Sequence, residues 1–300
     1  MPEKNDLPLV SIAIITYNQK EYLRECIESC LTQDYPNFEI VVADDCSTDG
    51  TQDMLREYEA KYPSKFVLRL AEKKQGITVN SNVCLNACSG EFIAFLGGDD
   101  VLYQGKISSQ VAVFQKYKDV VICGTYTNLI NEKSEVIGKV KDYKKKKFPF
   151  YSQYELIESN NSLVPVVSYM IRQSAVPSEG FDYRLPVASD SLFYFRVAEH
   201  GKIYIIKEFL TGYRLHNSHA RRIGYLDDSF VSLALTEFYY PHCFSAVQKA
   251  RSKIHYAIGR SYAKNGEYYK ARIEYKNSLK ISFSIKIFIA LLLAVIKIKR

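Results

Sequence analysis

The stretch Glu91-Phe-Ile-Ala-Phe-Leu-Gly-Gly-Asp-Asp100 decides the fold class. Phe92 to Leu96 is a short, unbroken apolar run, which suits a strand buried on both faces, as in a parallel sheet. Two glycines then allow a tight turn and a close approach to a ligand. Two adjacent carboxylates, Asp99 and Asp100, follow at the carboxyl end of the strand, where open α/β sheets bind ligands. Side by side they repel unless something positive lies near them. A hard divalent cation, Mg²⁺ or Mn²⁺, prefers oxygen ligands and commonly carries phosphate oxygens as well. The plainer reading of the same residues is a polar turn after a strand.

Around this stretch, strands and helices alternate. Leu9–Ile15 reads as a first buried strand, followed by the loop Thr16-Tyr17-Asn18. Asn18 with Glu21 reads as a capping box for a helix whose apolar face is Leu23, Cys26, Ile27, Cys30 and Leu31. Phe38–Ala43 is a second strand. Asp44-Asp-Cys-Ser-Thr-Asp-Gly-Thr51 is a polar turn, with Thr51 as the expected helix cap and Met54, Leu55 and Tyr58 facing the sheet. Phe66–Leu70 is a strand and Gly76–Cys88 a helix. Beyond the aspartates, Ile107, Val111 and Phe114 mark a helix; Val120–Cys123, Val166–Ile171 and Ile203–Ile206 read as strands. Asp190 opens a helix. The alternation predicts βαβ units and a parallel sheet.

The composition narrows the class of partner. The 300 residues carry 40 basic and 33 acidic side chains, a net charge of +7. This suits an anionic ligand or membrane surface, and no nucleic-acid-binding signature accompanies it. Forty-seven per cent hydrophobic residues supply a sizeable core. The seven cysteines show no C-x-x-C and no zinc spacing, and read as buried hydrophobes in a reducing cytoplasm. Met1–Pro8 is polar and reads as no signal peptide. Lys139–Lys147 is a lysine run, read either as a solvated loop or as a contact with anionic lipid. From Asp227 the pattern is all helical. Tyr256, Gly259, Tyr262, Gly266, Tyr268, Tyr269, Ala271 and Tyr275 resemble one tetratricopeptide-like helix pair. Ile287–Ile296 is apolar but too short to span a bilayer. With Lys286, Lys297, Lys299 and Arg300 at its flanks, it reads either as an interfacial helix or as one docked on the protein's own core.

In order along the chain stand Thr16-Tyr17-Asn18, Asp44-Asp45, Gly76–Asn82, Ser89–Asp100, Asp190 and Tyr213-Arg-Leu-His216. This ordered set resembles the inverting, metal-dependent sugar transferases of glycosyltransferase family two, over roughly residues 8 to 217. No G-x-G-x-x-G follows the first strand, which disfavours a dinucleotide-binding dehydrogenase.

The resemblance implies the GT-A fold, a Rossmann-like nucleotide-diphospho-sugar transferase of residues 1–225 with a helical appendage of residues 226–300. It implies transfer of a sugar from a nucleoside diphosphate, a UDP-sugar by the reading of Asp45, to a saccharide acceptor in cell-surface polysaccharide synthesis. Thr16, Tyr17, Asn18, Asp45, Asn80 and Asp99 would bind the donor. Asp45 would accept the imide N–H of the base, because a carboxylate only accepts. Asp100 and His216 would hold Mn²⁺ or Mg²⁺, and Asp190 would be the catalytic base. Asn80 departs from the Arg or Lys that the family often carries there, and Lys73, Lys74 or Arg214 are the available substitutes. The expected activity is that of a hexosyltransferase on a lipid-linked saccharide, at or near the inner face of the cell membrane. The alternatives are an inactive carbohydrate- or lipid-binding scaffold and a transferase acting on polyprenyl phosphate.

Overall fold

The computed structural model describes residues 7–142, 146–215 and 225–298. Its centre is a sheet in which β1 (Val10–Thr16), β2 (Phe38–Asp44), β3 (Phe66–Leu70) and β4 (Phe92–Gly97) run parallel in the order β3-β2-β1-β4. The apolar runs quoted above form these strands. Side chains alternate between the two faces of the sheet. Val10, Ile12 and Ile14 join one core with α1 (Lys20–Leu31), α2 (Thr51–Lys61) and α4 (Lys106–Lys116), whereas Ala13 joins the other, with α3 (Ile77–Asn86) and α6 (Asp190–Val197).

The other half of the sheet is mixed, where the pattern predicts a parallel one. β6 (Val120–Ile130) and β10 (Lys202–Arg214) are parallel to each other. β9 (Met170–Arg172) runs antiparallel between β4 and β6, and β5 (Val101–Leu102) runs antiparallel to β10. Only Met170 and Ile171 of the expected strand Val166–Ile171 lie in β9; Val166–Ser168 is a 3₁₀ turn. Pro165 opens that turn and accepts the N–H of Ser168 at 2.9 Å. β10 is far longer than the expected Ile203–Ile206. Irregularities between Ile206, Phe209 and Thr211 carry the strand past its polar middle to Arg214. Tyr213 and Arg214 therefore lie within the strand.

Two helix starts also differ from expectation. The Asn18–Glu21 capping box does not form: Asn18 takes a left-handed φ of 49° and α1 begins at Lys20. Thr51 is the first residue of α2 rather than its cap. Asp49 serves both ends, accepting the backbone N–H of Lys20 (3.0 Å) and that of Thr51 (3.1 Å).

The helical segment is sewn to this frame. α7 (Tyr225–Tyr239) and the first half of α8 (Phe244–Lys264) put Leu233, Ala246, Val247 and Ala250 into the same core as α3 and α6. The second half of α8 pairs with α9 (Tyr268–Ile281), as the tetratricopeptide-like spacing predicts. Gly259 lets the helices touch: a Cβ there would lie 2.6 Å from the Tyr275 ring. α10 (Ile285–Ile298) then lays Ile287 and Ala294 on α9.

Candidate active site

The candidate residues Thr16, Asp45, Asp99 and Asp100 stand at the carboxyl ends of β1, β2 and β4. Gly97 ends β4, and its lack of a side chain is what lets the aspartates converge. A Cβ at Gly97 would stand 2.8 Å from Asp99 Oδ1 and 3.0 Å from Asp100 Oδ2, so both carboxylates crowd one point above it. Both residues are buried. Burial, and after it the charge of Asp99, push the Asp100 carboxyl well above the ordinary range, against the opposing pull of Arg214. Two adjacent buried carboxylates are a donor set that a hard cation can use while it completes its shell from a ligand. Among the described residues, no three His, Cys, Asp or Glu gather into a metal cage. His216, the third expected ligand, lies outside the described residues.

Arg214 does not substitute for the neutral Asn80. It is fully buried behind the aspartates. Its backbone N–H donates to Asp100 Oδ1 (2.8 Å), and its guanidinium donates to Asp99 O (2.7 Å), Asn131 O (2.9 Å), Ser134 Oγ (3.0 Å) and Glu25 Oε2 (2.6 Å). Lys74 is the cation at the expected donor end, its Nζ 3.9 Å from the centre of the exposed Tyr17 ring.

Asp45 is buried beside that pair and accepts the N–H groups of Gln75 (2.6 Å) and Gly76 (3.0 Å) at the start of α3. A carboxylate has about four lone-pair sites, so it keeps capacity for a ligand. Asn80 is buried and donates to Ala43 O at 2.9 Å, which fastens α3 to β2. Asn18 is exposed; its N–H donates to Ser47 Oγ (2.8 Å) and its Oδ1 accepts from Thr48 N (2.7 Å). Thr16 Oγ1 is buried with no hydrogen-bond partner among the described residues, facing the Gly98 turn. An orphaned hydroxyl at a strand's carboxyl end is a group a ligand can satisfy.

Asp190 opens α6, as expected. Burial raises its pKa, against hydrogen bonds from the N–H of Ser191 and from its own N–H. The loop before it is held from two sides. Asp228 of α7 accepts the N–H groups of Val187 (2.7 Å) and Ala188 (2.8 Å), and Thr78 of α3 donates to Leu185 O (2.6 Å). Tyr213, on β10, lies within electrostatic reach of both groups. Burial, then the charges of Asp100 and Asp99, and more weakly that of Asp190, push its phenol up to about 12. Sequence reading names neither Tyr213 nor Asp228 as functional; the spacing of Tyr213 to Arg214 within the quoted motif was the available signal.

Among the described residues, a ten-stranded mixed sheet carries paired aspartates after a central strand, where open α/β sheets bind ligands. A family model, "Glycosyl transferase family 2", matches residues 11–176, and the chain belongs to that family. The putative teichuronic acid biosynthesis glycosyltransferase TuaG of Bacillus subtilis (strain 168) is 36% identical over 104 residues, 35% of this chain and 41% of that protein. The match therefore spans less than half of that relative's length. Among solved structures, S. aureus TarS 1-349 in complex with UDP-GlcNAc superposes with a TM-score of 0.67 at 18% identity, covering 96% of this chain and 79% of that one. The mannosyltransferase PcManGT from Pyrobaculum calidifontis, in complex with GDP-Man and Mn²⁺, gives 0.64 at 17% identity, covering 98% of this chain and 81% of that one. These likenesses establish the GT-A fold.

Proposed function

We propose that the chain transfers a glycosyl unit, with inversion, from a nucleoside-diphosphate sugar to a saccharide hydroxyl in cell-surface polysaccharide assembly. The observation that carries this reading is the convergence of the buried Asp99 and Asp100 carboxylates above Gly97, at the carboxyl end of β4. The relative named for teichuronic acid synthesis supports the polysaccharide assignment, and a lipid-linked acceptor is part of the same reading.

Asp45 accepts the imide N–H of a uracil base, and Tyr17 with Lys74 covers the base and the nearest phosphate. Asn80 keeps the α3 start, and with it the Gln75 and Gly76 N–H groups, against Asp45. Asn18 locks the Tyr17 loop to its neighbour. Thr16 and Asp99 line the ribose and diphosphate end. Asp100 and Asp99, with His216, are the residues that would hold Mn²⁺ or Mg²⁺, and the cation would neutralise the departing diphosphate. Asp190 takes the proton of the acceptor hydroxyl as that oxygen bonds to the anomeric carbon. The carbon–oxygen bond to the diphosphate breaks on the opposite side, so the configuration inverts. Residues 226–300 serve the 1–225 unit as a brace, since α7 holds the Asp190 loop through Asp228.

The test is a panel of UDP-, GDP- and dTDP-sugars incubated with the full chain and Mn²⁺ or Mg²⁺, scoring release of the nucleoside diphosphate. Metal-dependent release from one donor, lost in Asp100→Ala, is the expected result. Failure of every donor to bind or be cleaved would sink the reading and favour an inactive scaffold.

A further inference from the structure

α10 is apolar on two opposite faces, and among the described residues only one of them is covered. Ile287 and Ala294 are buried on α9. On the other side Ile285, Phe288, Ile289, Leu292, Leu293 and Ile296 recur at the helical spacing and are each between 43 and 70% exposed. Phe283, just before the helix, is 73% exposed. Scattered exposed apolar residues are ordinary; a continuous stripe of this kind marks a contact.

The charge of the chain is segregated in the same place. Residues 244–300 contain thirteen Lys and Arg and two Glu, whereas residues 1–243 contain twenty-seven basic and thirty-one acidic side chains. The whole positive excess of the protein therefore belongs to the segment of α8, α9 and α10. Lys286 and Lys297 each follow a stripe residue by one position, which puts both along one edge of the stripe. Their ammonium groups lie over the rings of Tyr256 (5.5 Å) and Tyr268 (5.1 Å).

Length limits how such a helix meets a bilayer. At about 1.5 Å per residue its 14 residues reach about 21 Å, short of the roughly 30 Å hydrocarbon core. No helix among the described residues is long and apolar enough to cross a membrane. A basic, apolar-striped helix too short to span lies in the plane of the interface.

We propose that α10 is a docking face for an anionic lipid bilayer. Its axis lies parallel to the surface, the outward stripe enters the acyl boundary and the basic α8–α10 segment covers the headgroups. A second copy of this chain would satisfy the apolar stripe but would press together two segments that share one strong positive charge. The docking needs neither Asp100 nor Asp190, so it stands or falls apart from the transfer reaction.

The chain has no tryptophan, so Leu292→Trp installs a single reporter. With the full-length protein at low salt, vesicles rich in phosphatidylglycerol should shift its emission to the blue, pure phosphatidylcholine vesicles should do so at least tenfold more weakly, and high salt should reverse the shift. Leu292→Glu with Leu293→Glu should abolish co-sedimentation with the anionic vesicles while leaving the melting temperature unchanged, both sites being exposed. Lys286→Glu with Lys297→Glu, which spares the apolar stripe, should lower vesicle affinity by at least about fivefold per charge. No blue shift with anionic vesicles at low salt overturns the proposal. So does binding indifferent to lipid charge, or a lipid-free dimer that the double glutamate variant dissociates, which would assign the face to self-association.

Discussion

The backbone N–H of Arg214 donates to Asp100 Oδ1 at 2.8 Å, and the same arginine reaches Glu25 through its guanidinium at 2.6 Å. One residue therefore spaces a carboxylate of the candidate metal site and ties it to α1 and to the turn at Asn131 and Ser134. Arg214→Ala would strand several acceptors and leave a cavity, at a cost of about 2–4 kcal/mol. Glu25→Gln removes one charged partner, half-exposed, and should cost about 1 kcal/mol. Urea unfolding at constant slope measures both. An Arg214→Ala protein as stable as wild type would refute the anchoring role.

Asp100 sets a trade between stability and ligand binding. Its carboxyl pKa is raised by burial and by Asp99. A raised folded-state pKa means the group's contribution is fully present below the unfolded pKa and is lost as pH climbs through the folded one. Without cation, the charged form is a burden at pH 7. Asp100→Asn keeps the acceptor for the Arg214 N–H and removes the charge. It should melt above wild type at pH 7, with the gap closing towards about pH 4. Mn²⁺ should raise the melting temperature of wild type and not of the variant. A variant that melts lower and still responds to Mn²⁺ would count against the metal assignment.

For Asp190, the raised pKa predicts that the acid limb of the rate profile lies above the ordinary carboxylate value, since a base works only when deprotonated. Asp190→Asn should lower turnover about 10²–10⁴-fold while UDP affinity holds. A near-normal rate in that variant, or an acid limb at the ordinary value, would remove Asp190 from the chemistry.

Gly259 tests the helical hairpin separately from the site. Its missing side chain leaves room for the Tyr275 ring, and a Cβ would sit 2.6 and 2.7 Å from two ring carbons. Gly259→Ala gains up to about 1 kcal/mol of helix propensity and incurs about 1–3 kcal/mol of overpacking. Hydrogen exchange should rise in α9 and α10 with nucleotide binding unchanged, and Tyr275→Leu should partly restore protection. Unaltered exchange would mean the pair tolerates the methyl without shifting.

Much of this was legible from short-range pattern. The run Phe92–Leu96, the glycine turn and the aspartates announce a buried strand and its ligand end, because burial on both faces and a tight turn leave direct traces in residue type. The start of α6 at Asp190 was legible for a similar reason. What escaped depends on distant contacts. Lys207 and Glu208 interrupt the apolar pattern of β10, so its extension to Arg214 rests on irregular pairing with β6 that no local window encodes. Asn18 carries every local mark of a helix cap, yet it turns to Thr48 because Asp49, from another loop, already serves Lys20. The outward stripe of α10 was visible as hydrophobicity; that the helix is both docked and exposed follows only from its packing on α9.

The Asp49 carboxylate also bears on how this scaffold could change its donor. Burial alone would raise its pKa, but hydrogen bonds from the Thr51 hydroxyl and from the N–H groups of Lys20 and Thr51 outweigh that and hold it low. Together with the Asn18 links to Ser47 and Thr48, it makes the loops after β1 and β2 a single mechanical part. A part of that kind moves as one unit. Grafting one loop from a relative with a different base preference would bring a mismatched partner to the other, and the modular unit for exchange is the pair, residues 16–20 with 44–51.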